Sequence, residues 1–151
     1  ALRACGHGYR VHLVQFMKNN LETSGEIKAL EKFKSFSFKR FGIEEWLTEE
    51  NKAKHIPQIE EAFNHLQESL QNPDYDLLIA DEILYAIQLN YIREEKVTEL
   101  IKAKPKNMEL ILTGSHKPFP KIFELADLVT EVKKVKHPYD KGILARRGIE
   151  Y

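Results

Sequence analysis

Short apolar runs alternate with amphipathic stretches along this chain. Runs of consecutive apolar residues predict strands covered on both faces, and a run of alternating aromatic residues predicts a strand nearer an edge of the sheet. Apolar residues that recur every three or four positions predict helices between them. The predicted strands are 11–17, 36–41, 77–80, 108–114 and 128–137, and the predicted helices are 27–33, 51–71, 83–89, 94–103 and 118–126. Strands that alternate with helices are typical of an α/β domain with a mostly parallel central sheet and helices on both faces.

The first residues predict the end of a longer helix. Ala1 to Ala4 favour a helix, and Gly6 follows where a helix can end. A helix of one turn is not stable alone. We therefore expect residues 1–151 to form a single α/β domain whose first helix lacks its beginning.

Composition narrows the function classes. The chain has 23 Lys and Arg residues and 23 Asp and Glu residues, and the resulting zero net charge disfavours binding to nucleic acid through bulk electrostatics. Cys5 is the only cysteine, which excludes an internal disulfide and a cysteine-based zinc site. No apolar run approaches the roughly 20 residues that span a bilayer. We expect a cytoplasmic protein that binds neither nucleic acid nor a membrane.

Ligands of parallel α/β sheets bind at the carboxyl ends of the strands, and this rule selects 15–18, 81–82 and 113–114. The strongest of the three is LLIADE, in which Asp81 and Glu82 follow four apolar residues. This is the layout of a Walker B element, whose strand-end acid holds Mg²⁺ directly or through water. The pattern fits equally well two acids that only face solvent and begin the next helix.

The second signal is LILTG, in which Thr113 and Gly114 end a predicted strand. In P-loop proteins of the RecA type, a polar residue here can sense the phosphates, but taken by itself the pattern favours a simple Thr-Gly turn that closes a buried strand. A P-loop, G-x-x-x-x-G-K-[ST], does not occur in residues 1–151. We expect the first strand, the P-loop and the start of the first helix to precede Ala1.

Several strings resemble one family, the corrinoid adenosyltransferases, which complete cobalamin coenzymes from ATP. They follow one another in the family's order at 1–8 (ALRACGHG), 11–18 (VHLVQFMK), 24–26 (SGE), 75–87 (YDLLIADEILYAI), 110–114 (LILTG) and 124–151 (ELADLVTEVKKVKHPYDKGILARRGIEY). The last string is especially specific, because no general nucleotide-binding pattern would produce it. The resemblance implies a RecA-like P-loop fold.

The resemblance also implies a reaction and the residues that bind the nucleotide. A cobalt(I) corrinoid attacks the 5′ carbon of the ATP ribose, and triphosphate leaves. Glu82 matches the family's acid associated with Mg²⁺ or Mn²⁺, and Asp81 lies beside it. Arg3, Thr113 and Gly114 match positions that bind the nucleotide. No residue is assigned as a general acid or base.

For the corrinoid, the resemblance implies an aromatic platform. Phe41 and Trp46 fall in the segment where the family carries an aromatic pair that packs on the corrinoid and helps remove the lower axial ligand of cobalt. The string RFGIEEWL holds its two aromatic residues further apart than the usual form does.

The implied partners are ATP, the corrinoid, a reduced flavoprotein that donates electrons and, as the first expectation, a second copy of the chain in a homodimer. A chain without a P-loop is expected to be inactive. Two alternatives stay open: a non-catalytic corrinoid- or nucleotide-binding module on the same scaffold, and a RecA-like ATPase acting on nucleic acid. Zero net charge and the specific carboxyl-terminal string weigh against the ATPase.

Overall fold

Four parallel strands form the centre of the protein in a computed structural model, which describes residues 1–18, 24–43, 45, 48 and 50–149. The strands, in the sheet order β2-β1-β3-β4, are β1 (Val11–Phe16), β2 (Phe36–Phe41), β3 (Leu77–Asp81) and β4 (Glu109–Leu112). The helices are α1 (Leu2–Gly6), α2 (Gly25–Leu30), α3 (Lys52–Leu70), α4 (Ile83–Gln88), α5 (Glu94–Lys102) and α6 (Pro120–Leu125), followed by a 3-10 turn at Pro138–Lys141. The predicted α/β class with a parallel sheet is confirmed.

Side chains alternate between the two faces of the sheet, and different helices cover each face. On one face, Leu13 and Ile79 pack with Cys5 of α1 and with Ile27 and Leu30 of α2. The other face belongs to a larger cluster that also holds residues of α3 to α6. Its largest fully buried side chains are Phe16, Phe41, Ile59, Leu66, Leu70, Leu78 and Ile83. All six residues of β1 are buried, as predicted for a strand covered on both faces.

The amphipathic stripe predicted for α3 is confirmed except at one residue. Ile59, Phe63, Leu66 and Leu70 are buried against the sheet, whereas Ile56 is 38% exposed in the first turns of the helix. Among the described residues, no helix combines the length and the apolar character needed to cross a bilayer.

The strand predicted at 128–137 is wrong, because these residues have no regular secondary structure. Leu128, Val132 and Val135 are 84%, 92% and 95% exposed. Apolar and β-branched residues favour an extended backbone, but a strand also needs a neighbour to pair with. No described residue pairs with the outer edge of β4. Because β4 has no neighbour on that side among the described residues, it is a partly exposed edge strand and not the buried strand predicted at 108–114.

Two histidines contact each other between β1 and α3. His12 Nε2 lies 2.9 Å from His65 Nε2, and His12 Nδ1 lies 2.7 Å from Ser37 Oγ. The Tyr75 ring stacks on His12 with 4.6 Å between centroids. Only one of the two Nε2 atoms can carry a proton in this contact. If both did, two N–H groups would point at each other with no acceptor between them. Burial, and to a lesser degree the nearby charges of His65 and Lys39, lower the pKa of His12 from 6.5 to about 4.

We expect the protein to lose stability as the pH falls from above 6.5 towards 4. Over this range the folded state keeps His12 neutral while the unfolded chain takes up the proton, so acid favours unfolding. The substitution His12→Asn keeps a donor for Ser37 and removes the titrating group. Between pH 7.5 and pH 5, urea unfolding should show a loss about 2 kcal/mol larger for the wild type than for the variant. Equal losses in the two proteins would contradict this role of His12.

Candidate functional site

Polar side chains from all four strands meet in one row at the carboxyl edge of the sheet. Gln15 of β1 lies opposite Arg40 of β2 on one side and opposite Asp81 of β3 on the other. The register between β3 and β4 places Thr113 beside Asp81. We call these four residues the strand-end row. Because residues of neighbouring parallel strands at one register share a face, the sheet itself aligns the row.

Hydrogen bonds join every neighbouring pair in the strand-end row. Arg40 Nε donates to Gln15 Oε1 at 2.7 Å, and Gln15 Nε2 donates to Asp81 Oδ2 at 3.0 Å. From the other side, Thr113 Oγ1 donates to Asp81 Oδ1 at 2.7 Å. Both oxygens of the Asp81 carboxylate are therefore fixed by neutral donors. The carboxylate is therefore held in one orientation.

Glu82 follows Asp81 in a strained backbone conformation. Its φ of 66° lies in the left-handed region, which costs a residue other than glycine about 1 kcal/mol or more. Its amide donates to Thr113 Oγ1 at 3.1 Å, and its carbonyl accepts from the amides of Tyr85 and Ala86, each at 3.1 Å. Within the described ranges nothing hydrogen-bonds to its carboxylate. The backbone of Glu82 is therefore fixed from both sides, whereas no described residue holds its carboxylate.

Gly114 allows the end of β4 to approach Glu82 closely. Its φ is +107°, and a Cβ at this position would lie 2.9 Å from the Tyr85 amide nitrogen and 3.1 Å from Glu82 Oε2. Any larger residue would push the loop away from the acid. The structure thus brings together Asp81, Glu82, Thr113 and Gly114, which the sequence selected separately.

An open pocket of about 420 Å³ lies beside the strand-end row. Its lining joins the start of the first helix to the row and to α2: Ala1, Leu2, Leu13, Gln15, Glu26, Ile27, Ala29, Leu30, Ile79 and Asp81. Asp81, one of the two acids, and the start of the first helix therefore line the same pocket. Another pocket, of about 310 Å³, lies between α3 and the start of α5 and contains no residue of the row.

Arg3, predicted to contact the nucleotide, is exposed on α1. No hydrogen bond or ion pair joins it to another residue of the described part of the chain. Leu2, its neighbour in the chain, lines the pocket, whereas Arg3 does not.

Phe41, predicted to face a corrinoid, is buried in the core and is 2% exposed. Its ring lies 5.6 Å from the His65 ring, and Lys39 Nζ lies 4.8 Å from its centroid. Phe41 thus presents no open aromatic face. Trp46 lies outside the described residues. A corrinoid contact by either residue stays a prediction.

The acid pair fits a magnesium ion better than a metal held by protein ligands alone. No cluster of three or more His, Cys, Asp and Glu side chains suited to a metal occurs among the residues that the structure describes. Mg²⁺ usually binds one or two carboxylates and completes its shell with water and substrate phosphates. Glu82 offers a carboxylate that has no hydrogen-bond partner among the described residues, and Asp81 offers one that is already oriented.

Arg40 is the member of the strand-end row that the sequence did not point to. Its string, FSFKRF, alternates like an ordinary edge strand, and a basic residue is common there. Only the pairing of β2 with β1 shows that it lies beside Gln15 at the carboxyl edge.

The four-stranded parallel sheet, with helices on both faces and Asp81 oriented at its carboxyl edge, places the protein in the RecA-like P-loop class of α/β folds. The family model described as "ATP:corrinoid adenosyltransferase BtuR/CobO/CobP" matches residues 1–151. The chain belongs to this family.

Curated relatives agree with this assignment. The chain is 33% identical to the corrinoid adenosyltransferase of Escherichia coli K12 over 154 aligned residues, which cover 100% of this chain and 76% of that protein. Identity to corrinoid adenosyltransferase CobA of Salmonella typhimurium LT2 is 33%, with the same coverage. Identity to the Pseudomonas aeruginosa PAO1 corrinoid adenosyltransferase is 32%, covering 99% of this chain and 73% of that protein.

Proposed function

We propose that the protein transfers the 5′-deoxyadenosyl group of ATP to the cobalt(I) of a corrinoid, with release of triphosphate, in the biosynthesis or salvage of cobalamin coenzymes. The observation that carries the proposal is the acid pair: Asp81 is oriented by two donors and lines the pocket at the start of the first helix, and no described residue hydrogen-bonds to the carboxylate of Glu82. Membership of the corrinoid adenosyltransferase family supports the same conclusion.

In the proposed reaction, the electron pair of cobalt(I) forms the bond to the 5′ carbon of ATP. The bond between that carbon and the triphosphate oxygen breaks, and its electron pair leaves with triphosphate. No proton has to move, so the proposed reaction requires neither a general acid nor a general base. Catalysis then depends on alignment and on stabilising charge.

Glu82 and Asp81 would hold Mg²⁺ or Mn²⁺, which when bound offsets the charge of the triphosphate leaving group. Thr113 orients Asp81 through its hydroxyl and fixes Glu82 by accepting the amide hydrogen. Gly114 leaves room for the loop to reach the acid. Arg3 is proposed to reach the nucleotide from α1, where its side chain is exposed.

Cobalt must be in the reduced cobalt(I) state before it can attack carbon. We therefore include a reduced flavoprotein in the proposal as the electron donor. As a separate part of the proposal, the protein assembles as a homodimer. The flavoprotein can be replaced in the first test, since a chemical reductant supplies cobalt(I) without a protein partner.

The test is anaerobic incubation of the full-length gene product with ATP, Mg²⁺ and chemically reduced corrinoid. We expect formation of a light-sensitive cobalt–carbon bond, followed by absorbance, with one triphosphate released for each bond. Corrinoid binding without this product would favour a non-catalytic binding module. Conversion of ATP to ADP, stimulated by DNA and independent of corrinoid, would favour an ATPase and contradict the proposal.

A further inference from the structure

The hydrogen bonds of the strand-end row have a fixed direction. The Gln15 amide lies between the cationic Arg40 and the anionic Asp81, and accepts from the first through Oε1 while it donates to the second through Nε2. The reversed amide would turn its oxygen towards the carboxylate and its N–H groups towards the guanidinium, and both contacts would be repulsive. Arg40 therefore determines which end of Gln15 meets Asp81.

Arg40 is itself fixed in place. Its Nη2 donates to Ser24 Oγ at 2.9 Å, just before α2. Its Cζ also lies 5.8 Å from the centroid of the Phe38 ring, which packs on the same face of the sheet. The guanidinium consequently links the amino end of α2 to the acid pair across β2 and β1.

Backbone pairing alone does not explain why a glutamine occupies the middle of the row. Gln15 is 5% exposed, and its neighbours on the same face of β1 are apolar. A buried amide lowers stability unless all its polar groups are hydrogen-bonded. A leucine at this position would bury no polar side-chain group and would avoid that cost. The partners that Gln15 does have, Arg40 and Asp81, are charged groups that only a polar side chain could connect.

We propose that Gln15 and Arg40 are positioning residues, which hold the Asp81 carboxylate in the orientation that the magnesium–triphosphate complex requires. The inference rests on the proposed function. It adds a chain of hydrogen bonds that runs from Ser24, just before α2, through Arg40 and Gln15 to Asp81. Residues that orient a metal ligand typically change metal affinity about 10- to 100-fold when they are removed. Neither Gln15 nor Arg40 needs to touch the nucleotide for this effect.

The experiment measures ATP binding by calorimetry at increasing Mg²⁺ concentrations, without corrinoid, for the full-length protein and its variants. Gln15→Met and Arg40→Met should raise the Mg²⁺ concentration needed for half-maximal binding about 10-fold or more. Arg40→Lys keeps a donor for Gln15 and should recover most of the affinity. Lys39→Met makes the same change of charge on the opposite face of β2 and should leave the Mg²⁺ requirement unchanged. An unchanged requirement in folded Gln15→Met and Arg40→Met proteins would overturn the inference.

A second readout needs no metal. In the wild type the Nε–H of Arg40 is bonded to Gln15, so its NMR signal should exchange slowly with water, and Gln15→Met should accelerate that exchange. If the Nε–H of Arg40 exchanges equally fast in both proteins, the hydrogen bond between Arg40 and Gln15 is not formed and the strand-end row is wrong. If Gln15→Met does not fold, Arg40→Met still tests the Mg²⁺ requirement from a partly exposed position on the edge strand. Failure of the wild type to bind ATP with Mg²⁺ would instead overturn the proposed function on which the inference rests.

Discussion

Replacing Glu82 by glutamine is expected to lower the rate of cobalt–carbon bond formation by about 100-fold or more. The amide keeps the size of the side chain but removes the negative charge that a divalent cation needs. Backbone contacts at this position do not involve the carboxylate, so the fold and its strained φ should persist. The measurement is the initial rate of the anaerobic absorbance assay at saturating ATP and corrinoid, with circular dichroism as the check on folding.

Glu109→Gln provides the matched control for this substitution. Glu109 begins β4 at the opposite, amino-terminal edge of the sheet and is exposed, so the same loss of charge there should change the rate less than 2-fold. A Glu82→Gln protein with the rate of the wild type would refute the metal role of Glu82. Similar losses in both variants would point to the net charge of the protein instead of the site.

Replacing Phe41 by alanine is expected to lower the free energy of unfolding by about 3–5 kcal/mol. The ring, at the end of β2, is 2% exposed and contacts the ring of His65 on α3. Its removal therefore leaves a cavity between the sheet and α3. Urea unfolding monitored by circular dichroism measures the change. This outcome would assign Phe41 to the core.

Phe123→Ala is the control for the same truncation. Phe123 lies on α6 and is 37% exposed, so its loss should cost about 1 kcal/mol or less. If Phe41→Ala instead leaves stability nearly unchanged and weakens corrinoid binding, the ring contacts the corrinoid and its burial between sheet and helix is not its role. The two measurements separate the predicted platform from a packing residue.

Most of the fold could be predicted because its signals are local. The strands β1, β2 and β3 and the helix α3 follow from runs and periods of apolar residues, and they lie within a few residues of the predicted bounds. The strand at 128–137 failed because strand formation needs a pairing partner as well as a suitable sequence. Its exposed valines have the right composition but no neighbour among the described residues.

The candidate site was predicted in part for a related reason. Asp81, Glu82, Thr113 and Gly114 stand at ends of apolar runs, where parallel sheets bind ligands, so their positions could be recognised one strand at a time. Which of the two acids is free could not be recognised, because the bonds that fix Asp81 come from Gln15 and Thr113 on neighbouring strands.

By itself the sequence determined the class of the fold, the edge of the sheet at which the candidate site lies and the acids that stand there. These depend on residues close together in the chain. The tertiary structure decided that Arg40 joins the row, that Phe41 belongs to the core and that no residue in the described part of the chain hydrogen-bonds to the Glu82 carboxylate. Each of these depends on which strand lies beside which, and the order β2-β1-β3-β4 is a property of long-range packing that no local pattern of residues encodes.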